Sequence, residues 1–471
     1  MTLMKKYLCW IIPVLIFSFL FEGSVERARA LTIEEENKLG KKVFLEMENQ
    51  VEWVSDLTLQ TFLEKLGNSL VAQVGSTPFT FRFYLIKASD PNAFAIPGGY
   101  IFVTTGLMAL AENEQEIAAV LSHEISHVTE RHVAQMIEKS KRINIASLAA
   151  ILAGLLLGGG GKASGAVATT AMATAEAMAL KYTRENEADA DRKSLEYVTK
   201  AGYDPNGMIT FLNKICKISL TSSPQIPTYL STHPATEDRI PFLENLIQTG
   251  PRPIGPFKTF GNFKRIQAKA LVEGREPQVA INHYQSMIDN NPQNIEGHYG
   301  LGIAYQKMGR LDKSMDAFQK AQSITAKDVD VLRELGIDCF LSGKIDLAVQ
   351  NFETVQSLLE TESRQNDDLQ NLYYLGRGYQ EKGDFARALP LFLEVRKERP
   401  EFVDVYHNLG SVYGRMGQKG LSHLYYGKYF KLRRDGKNAL LHFRTALEWL
   451  EKGSPEAREV QDEINELKPS K

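Results

Sequence analysis

The chain has 471 residues, 43% hydrophobic and 24% charged, with a formal net charge of -2. That is a globular composition, long enough for more than one core, and a near-neutral chain without a block of Lys and Arg excludes nucleic acid as its main partner. Three cysteines exclude a disulfide framework.

The first thirty residues open with Lys5 and Lys6, run apolar from Tyr7 to Phe21 and end on Ala28-Arg29-Ala30. This order of basic, apolar and small-x-small segments predicts a cleavable export signal over 1–30, cut near Ala30. A retained anchor is the alternative, but the 15-residue run is short of the roughly 20 apolar residues that span a bilayer. Cys9 lacks the small residues that precede a lipidated cysteine. Cleavage removes four basic and two acidic residues, leaving a mature chain near -4 with Cys216 and Cys339, read as buried free thiols.

Residues 32–75 show helical periodicity in Leu39, Val43, Phe44 and Met47 and again in Leu59, Phe62, Leu63, Leu66 and Leu70, which predicts two helices. FTFRFYLI then alternates as a half-buried strand, and AFAIPGGYIFVTT places two extended pieces around Pro97-Gly98-Gly99. A small antiparallel sheet is expected there. From about Thr105 to Arg142 the pattern returns to helix, with Glu112, Glu114 and Glu116 at its acidic opening. Residues 143–180 hold INIASLAAILAGLLL, a glycine hinge and an Ala-rich run. Each run falls below spanning length, so a buried or mobile helical hairpin is set against membrane insertion, with peripheral membrane contact left open.

QTGPRPIGPFKTFG, residues 248–261, is Pro/Gly-rich and marks a boundary, dividing the mature chain into 31–250, a linker over 251–261 and 262–471. The last part is a repeat of about 34 residues, the tetratricopeptide period. Leu301-Gly302, Leu335-Gly336, Leu375-Gly376 and Leu409-Gly410 recur in register with Phe318, Phe352, Phe392 and Tyr426, broken only by an insertion near Gln365. Such helix pairs stack into a solenoid whose groove binds segments of other proteins. A rigid spacer or intramolecular lid is the alternative.

Inside the helical stretch over 105–142, past its acidic opening, lies HEISH, which therefore sits on a helix. Positions four apart differ by about 40° in azimuth, so His123 and His127 project from one helix face toward a single ion. His132 falls about 140° round and is excluded from that set. Glu124 beside the first ligand can take a proton from water, and Zn²⁺ suits two neutral imidazoles. The motif arises by chance in on the order of one in a hundred such chains, so a third ligand decides the matter. YTRENEADADR offers Glu185, Glu187, Asp189 and Asp191. Glu187 can ligate while Asp191, four residues on, hydrogen-bonds a ligand imidazole from behind; a solvated acidic helix face is the plainer reading.

HEISH followed by HVTERH, NEADAD with its Glu-x-x-x-Asp spacing and STHPATEDRI, with the approach NAFAIPGGYIFVTTGLM, resemble the BepA-like and HtpX-like zinc metallopeptidases over about residues 32–247. With its exported N-terminus and repeat tail, the chain is similar to the BepA-like branch. The resemblance implies a mainly α protein, a zincin-type α+β metallopeptidase domain over 31–250 followed by an α-solenoid over 262–471. It implies one Zn²⁺ per subunit on His123, His127 and Glu187, with Glu124 as general base and Asp191 in support. It further implies that His233 is a removable extra ligand and that Arg239 stabilises the reacting carbonyl. The residues alone give a loop histidine before Pro234 and a salt-bridging arginine. The function so implied is a periplasmic metalloendopeptidase that hydrolyses unfolded or misassembled envelope proteins in outer-membrane protein quality control, its repeat groove holding clients or the assembly machinery. The rival is a chaperone or scaffold with a latent zinc site. The strand at Ala93–Ile96 is expected to pair with an extended substrate by β-addition.

Overall fold

The computed structural model describes residues 31–139, 182–221, 228–234, 238–253, 255–361 and 367–467. The expected export signal over 1–30 and hairpin over 143–180 lie outside these residues. α1 (Ile33–Met47) starts where Thr32 and Glu35 close a capping box, and α2 (Leu57–Val71) where the Asp56 side chain accepts from the Leu59 N–H.

A three-stranded sheet follows, β1 (Arg82–Ile86), β2 (Ala93–Ile96) and β3 (Tyr100–Thr104). β2 and β3 form the antiparallel pair around Pro97-Gly98-Gly99, whose glycines take φ of 82° and 87°. Gly99 is required there twice over, because a Cβ on it would lie 2.6 Å from the Thr80 carbonyl oxygen. β1, however, joins the far side of β3 in parallel, so the sheet is mixed, in the order β1-β3-β2, and not the antiparallel one expected. The 13 residues between Ile86 and Tyr100, β2 among them, supply the crossover length that a parallel pair needs. Alternation along the strands then serves two cores. Phe83, Leu85, Ala93, Ala95, Ile101 and Val103 face the larger one with α2, while Phe94, Ile96, Tyr100 and Phe102 face α1.

The helical stretch that begins at Thr105 is, within the described residues, three helices, α3 (Thr105–Leu110), α4 (Glu114–Thr129) and α5 (His132–Lys139), α4 starting at the acidic opening. Asn113 caps α4, accepting from the Glu116 N–H, and Arg131 at φ 58° ends the run before α5. Every residue of α4 from Glu116 to Val128 is buried. Ile117, Val120, Leu121, Ile125 and Val128 each contribute about 1.5–3 kcal/mol by burial, which carries the polar residues of the same helix inside with them. α6 (Arg184–Ala201) lies along α4, joined by Ser122 Oγ donating to the Ser194 carbonyl at 2.8 Å. α7 (Gly207–Thr221), α8 (Thr228–Thr232) and α9 (Arg239–Thr249) complete this part.

From Phe263 onward the described chain is helical, as α10 (Phe263–Gly274), α11 (Pro277–Asn290), α12 (Ile295–Lys307), α13 (Leu311–Ile324), α14 (Val329–Leu341), α15 (Ile345–Thr361), α16 (Leu369–Glu381), α17 (Phe385–Glu398), α18 (Val403–Arg415), α19 (Lys419–Leu432), α20 (Gly436–Trp449) and α21 (Pro455–Leu467). The repeated Gly and aromatic positions meet inside each pair. A Cβ on Gly302 would come within 2.6 Å of the Phe318 ring, and Gly336 stands in the same relation to Phe352. Cys339 is buried and Cys216 half-buried, both free.

The solenoid does not hang free of the first part. Lys269 on α10 reaches Asp56 at 2.9 Å and Glu334 at 2.8 Å, Thr58 Oγ1 donates to Gln370 Oε1 at 2.6 Å, and Arg399 pairs with Glu64 at 3.0 Å. α2 is thus clasped by successive repeats, an arrangement that favours an intramolecular role for part of the solenoid's inner surface.

Candidate metal centre

Burial of α4 fixes two imidazoles in the interior. His123 and His127 are fully buried, their Nε2 atoms 3.1 Å apart. The Thr183 capping box starts α6 so that Glu187 falls one turn in and faces them, with Oε2 3.4 Å from His123 Nε2 and Oε1 3.5 Å from His127 Nε2. His233, just past α8, closes the group, its Nδ1 3.0 Å from Glu187 Oε1 and its Nε2 3.4 Å from Glu124 Oε1. His123, His127, Glu187 and His233 offer ligand atoms that all lie within 4.8 Å of one another. The four are brought together from three separate stretches of the sequence.

The supporting residues sit on the outer side of this group. Asp191 Oδ1 lies 3.0 Å from His123 Nδ1, as the Glu-x-x-x-Asp spacing leads one to expect. Arg239 donates to both Asp191 oxygens at 2.8 Å and stands 2.6 Å from Glu187 Oε2 through Nη1. Its guanidinium is engaged with these two carboxylates. Three residues escaped the sequence reading. His132 stays out of the donor set, but its Nδ1 is 3.0 Å from His127 Nδ1, because the break at Arg131 cancels the azimuth that a continuous helix would impose. Tyr182 stacks on His127 with ring centroids 3.7 Å apart, and Tyr229 stacks on His233 at 4.8 Å. The tyrosines carried only one signal, their placement just before the α6 cap and one helical turn before His233.

Charge in this interior is unevenly settled. Burial opposes ionisation of His123, but Glu187 and a hydrogen bond to Asp191 outweigh it and push the imidazole up to about 9. Burial holds His127 well below its ordinary value. Against burial, the charges of His233, Arg239 and His123 keep Glu187 well below the carboxylate range. Glu124 is raised, chiefly by burial, and neither of its oxygens has a hydrogen-bond partner. His233 Nε2 is also without one. Orphaned atoms of this kind cost about 1–3 kcal/mol each, so their concentration at one point marks a place built to receive something polar. Two imidazoles and a carboxylate with a third imidazole adjoining fit a divalent ion of borderline softness.

Residues 58–247 match Peptidase family M48, and residues 267–329 and 403–435 match tetratricopeptide repeats. The chain is 33% identical over 291 residues to the putative beta-barrel assembly-enhancing protease of Vibrio cholerae serotype O1, covering 60% of this chain and 59% of that one. It is 32% identical over 211 residues to the beta-barrel assembly-enhancing protease of Escherichia coli K12, covering 45% and 43%. Against the mitochondrial metalloendopeptidase OMA1 of Schizosaccharomyces pombe the figures are 27% over 183 residues, 39% and 51%. The matches therefore span less than two thirds of each of these relatives.

Proposed function

From a chain that carries an M48 peptidase domain followed by tetratricopeptide repeats, we propose a zinc metalloendopeptidase that hydrolyses peptide bonds of unfolded or misassembled envelope proteins in the periplasm, in the quality control of outer-membrane protein assembly. The observation that carries this reading is the meeting of His123, His127 and Glu187 beside the unpartnered carboxylate of Glu124. Those three residues would hold one Zn²⁺, whose bound form supplies Lewis acidity to the scissile carbonyl and lowers the pKa of water. Glu124 takes the proton of the attacking water and passes it to the leaving amine nitrogen. Asp191 and His132 fix the two imidazoles from behind.

His233 is the proposed latch, since it stands against both Glu124 and Glu187 where water and the scissile carbonyl would enter. Arg239 is assigned to the reacting carbonyl, a role that begins only when its guanidinium is released from Glu187. Substrate enters extended along β2. The Thr104 N–H donates to the Asn92 carbonyl at 3.0 Å, so in this register the hydrogen-bonded pairs are Phe94–Phe102 and Ile96–Tyr100, and the N–H groups of Ala93 and Ala95 point away from β3. A proline at 95 therefore spares the hairpin while removing a donor from the substrate side. The outer-membrane assembly machinery or the clients themselves are proposed to bind solenoid surface that α2 leaves uncovered. The domain limits 31–250 and 262–471 are part of the same proposal, with the linker 251–261 between α9 and α10.

Degradation of an unfolded protein by residues 31–471 tests the reading, with wild type, Glu124→Gln and His233→Ala compared and zinc content determined. Cleavage by His233→Ala, with Glu124→Gln inert and zinc-loaded, is the expected result. The closure of His233 over Glu124 favours one second reading, an assembly scaffold whose site stays latent. An inert His233→Ala that still holds zinc, with Glu124→Gln still complementing an envelope defect in cells, would put the scaffold first.

A further inference from the structure

Both ends of α5 are tied to the first described residues of the chain. The Leu31 N–H donates to Glu138 Oε1 at 2.5 Å, from the last turn of α5. Arg131, at the front of α5, donates through Nη2 to the Leu31 carbonyl and through Nε to Glu36 Oε2 at 2.7 Å. Glu36 is 1% exposed; burial first, and then the charge of Glu138, push its carboxyl up against the pull of Arg131. The guanidinium is thus held by Glu36 and the Leu31 carbonyl, while Glu138 is met here by the Leu31 amide. Leu31 directly follows Ala28-Arg29-Ala30, the small-x-small end of the export signal read from the sequence.

We propose that signal removal after Ala30 creates an α-ammonium on Leu31 that pairs with Glu138 and fastens α5, so that maturation completes the support of the metal centre. In the bond broken, water adds across the Ala30–Leu31 amide under an export-linked signal endopeptidase. The water oxygen bonds to the Ala30 carbonyl carbon as the C–N bond breaks, Ala30 leaves as a carboxylate, and the Leu31 nitrogen gains both protons of the water and becomes an ammonium. One neutral donor becomes a cation with three donors, and charge-assisted hydrogen bonds are about twice as strong as neutral ones. Two carboxylates then face two cations. The fastening reaches the metal centre because α5 begins with His132, whose Nδ1 holds His127 Nδ1 at 3.0 Å. A precursor still carrying its signal holds Glu138 through a neutral amide alone, which leaves α5 the less firmly held of the two forms.

The inference rests on the export reading, and its test separates the two. Mass spectrometry of the exported, zinc-loaded protein is expected to find Leu31 at the N-terminus; any other start overturns the cut at Ala30 and the ion pair with it. With Leu31 first, pH-dependent acylation of the N-terminal amine should report a pKa above the ordinary value of about 7.7–8.0, returning to it in Glu138→Gln. An ordinary pKa that Glu138→Gln leaves unmoved overturns the ion pair while the export reading stands. Adding one glycine before Leu31 restores the neutral amide, and chelator competition should then show zinc held severalfold more weakly. Equal affinity for zinc in the two forms overturns the link to the metal centre.

Discussion

Two of the buried charge clusters among the described residues are built on opposite rules. At the junction of the two parts, Lys269 lies between Asp56 and Glu334, and Arg333 between Asp330, Glu334 and Asp368, each cation meeting carboxylates at 2.5 to 3.2 Å. At the metal centre Glu124 accepts no hydrogen bond, and its near neighbour is another ligand-type residue, His233. A buried ion pair is seldom a net gain over apolar packing, but losing one partner is severe. An orphaned carboxylate has no partner to lose. The junction therefore uses its charge to hold two parts together, whereas the candidate metal centre carries a cost in stability that the chemistry proposed for it would explain.

That contrast predicts a crossover between function and stability. Glu124→Gln should lower peptide cleavage by about 10²–10⁴-fold, the usual worth of a general acid–base group, while zinc content and the unfolding midpoint hold or the midpoint rises. Lys269→Ala should behave in the reverse way, costing about 3–5 kcal/mol in denaturant unfolding because Asp56 and Glu334 are left facing each other. Cleavage by the surviving folded fraction should be unchanged per molecule. If Glu124→Gln unfolds the protein or Lys269→Ala kills the folded enzyme, the two clusters are not distinct in kind.

His132→Ala sharpens the comparison within the metal centre. Loss of a residue that hydrogen-bonds a ligand from behind typically weakens metal binding 10–100-fold, and chelator competition should find that range here. Ala95→Pro is the control from the substrate side, weakening cleavage of an extended peptide without releasing zinc. Equal loss of zinc in Ala95→Pro would remove the case for strand addition at β2.

Much of this was legible in the sequence, because some physics is periodic. The spacing of HEISH, of Glu187 with Asp191, and of the Gly and aromatic positions of the solenoid depends only on helix geometry, and all of them fall on the helices their spacing requires. The mixed sheet was not legible, since strand composition does not say on which side of β3 the first strand docks. Nor was the contact of His132 with His127, which depends on the left-handed Arg131, a conformation that an arginine does not announce. The clasp of α2 by Lys269, Gln370 and Arg399 joins residues hundreds of positions apart, and no local pattern encodes it.

The smallest effect lies in the solenoid and tests whether every buried charge there is truly settled. Asp338 on α14 is fully buried; burial pushes its carboxyl up to about 7 against hydrogen bonds from Ser314 and Gln306. Its folded value is above the ordinary 3.8, so its contribution to stability is full below that pH and is lost as pH rises through 7. Asp338→Asn keeps an acceptor for Gln306 and removes the charge. Denaturant midpoints should place the variant above wild type at pH 8, with the gap closing as pH falls toward 5. A gap that stays constant with pH would mean that Asp338 is ionised and paired in the fold, and would move it to the side of Lys269 in the comparison.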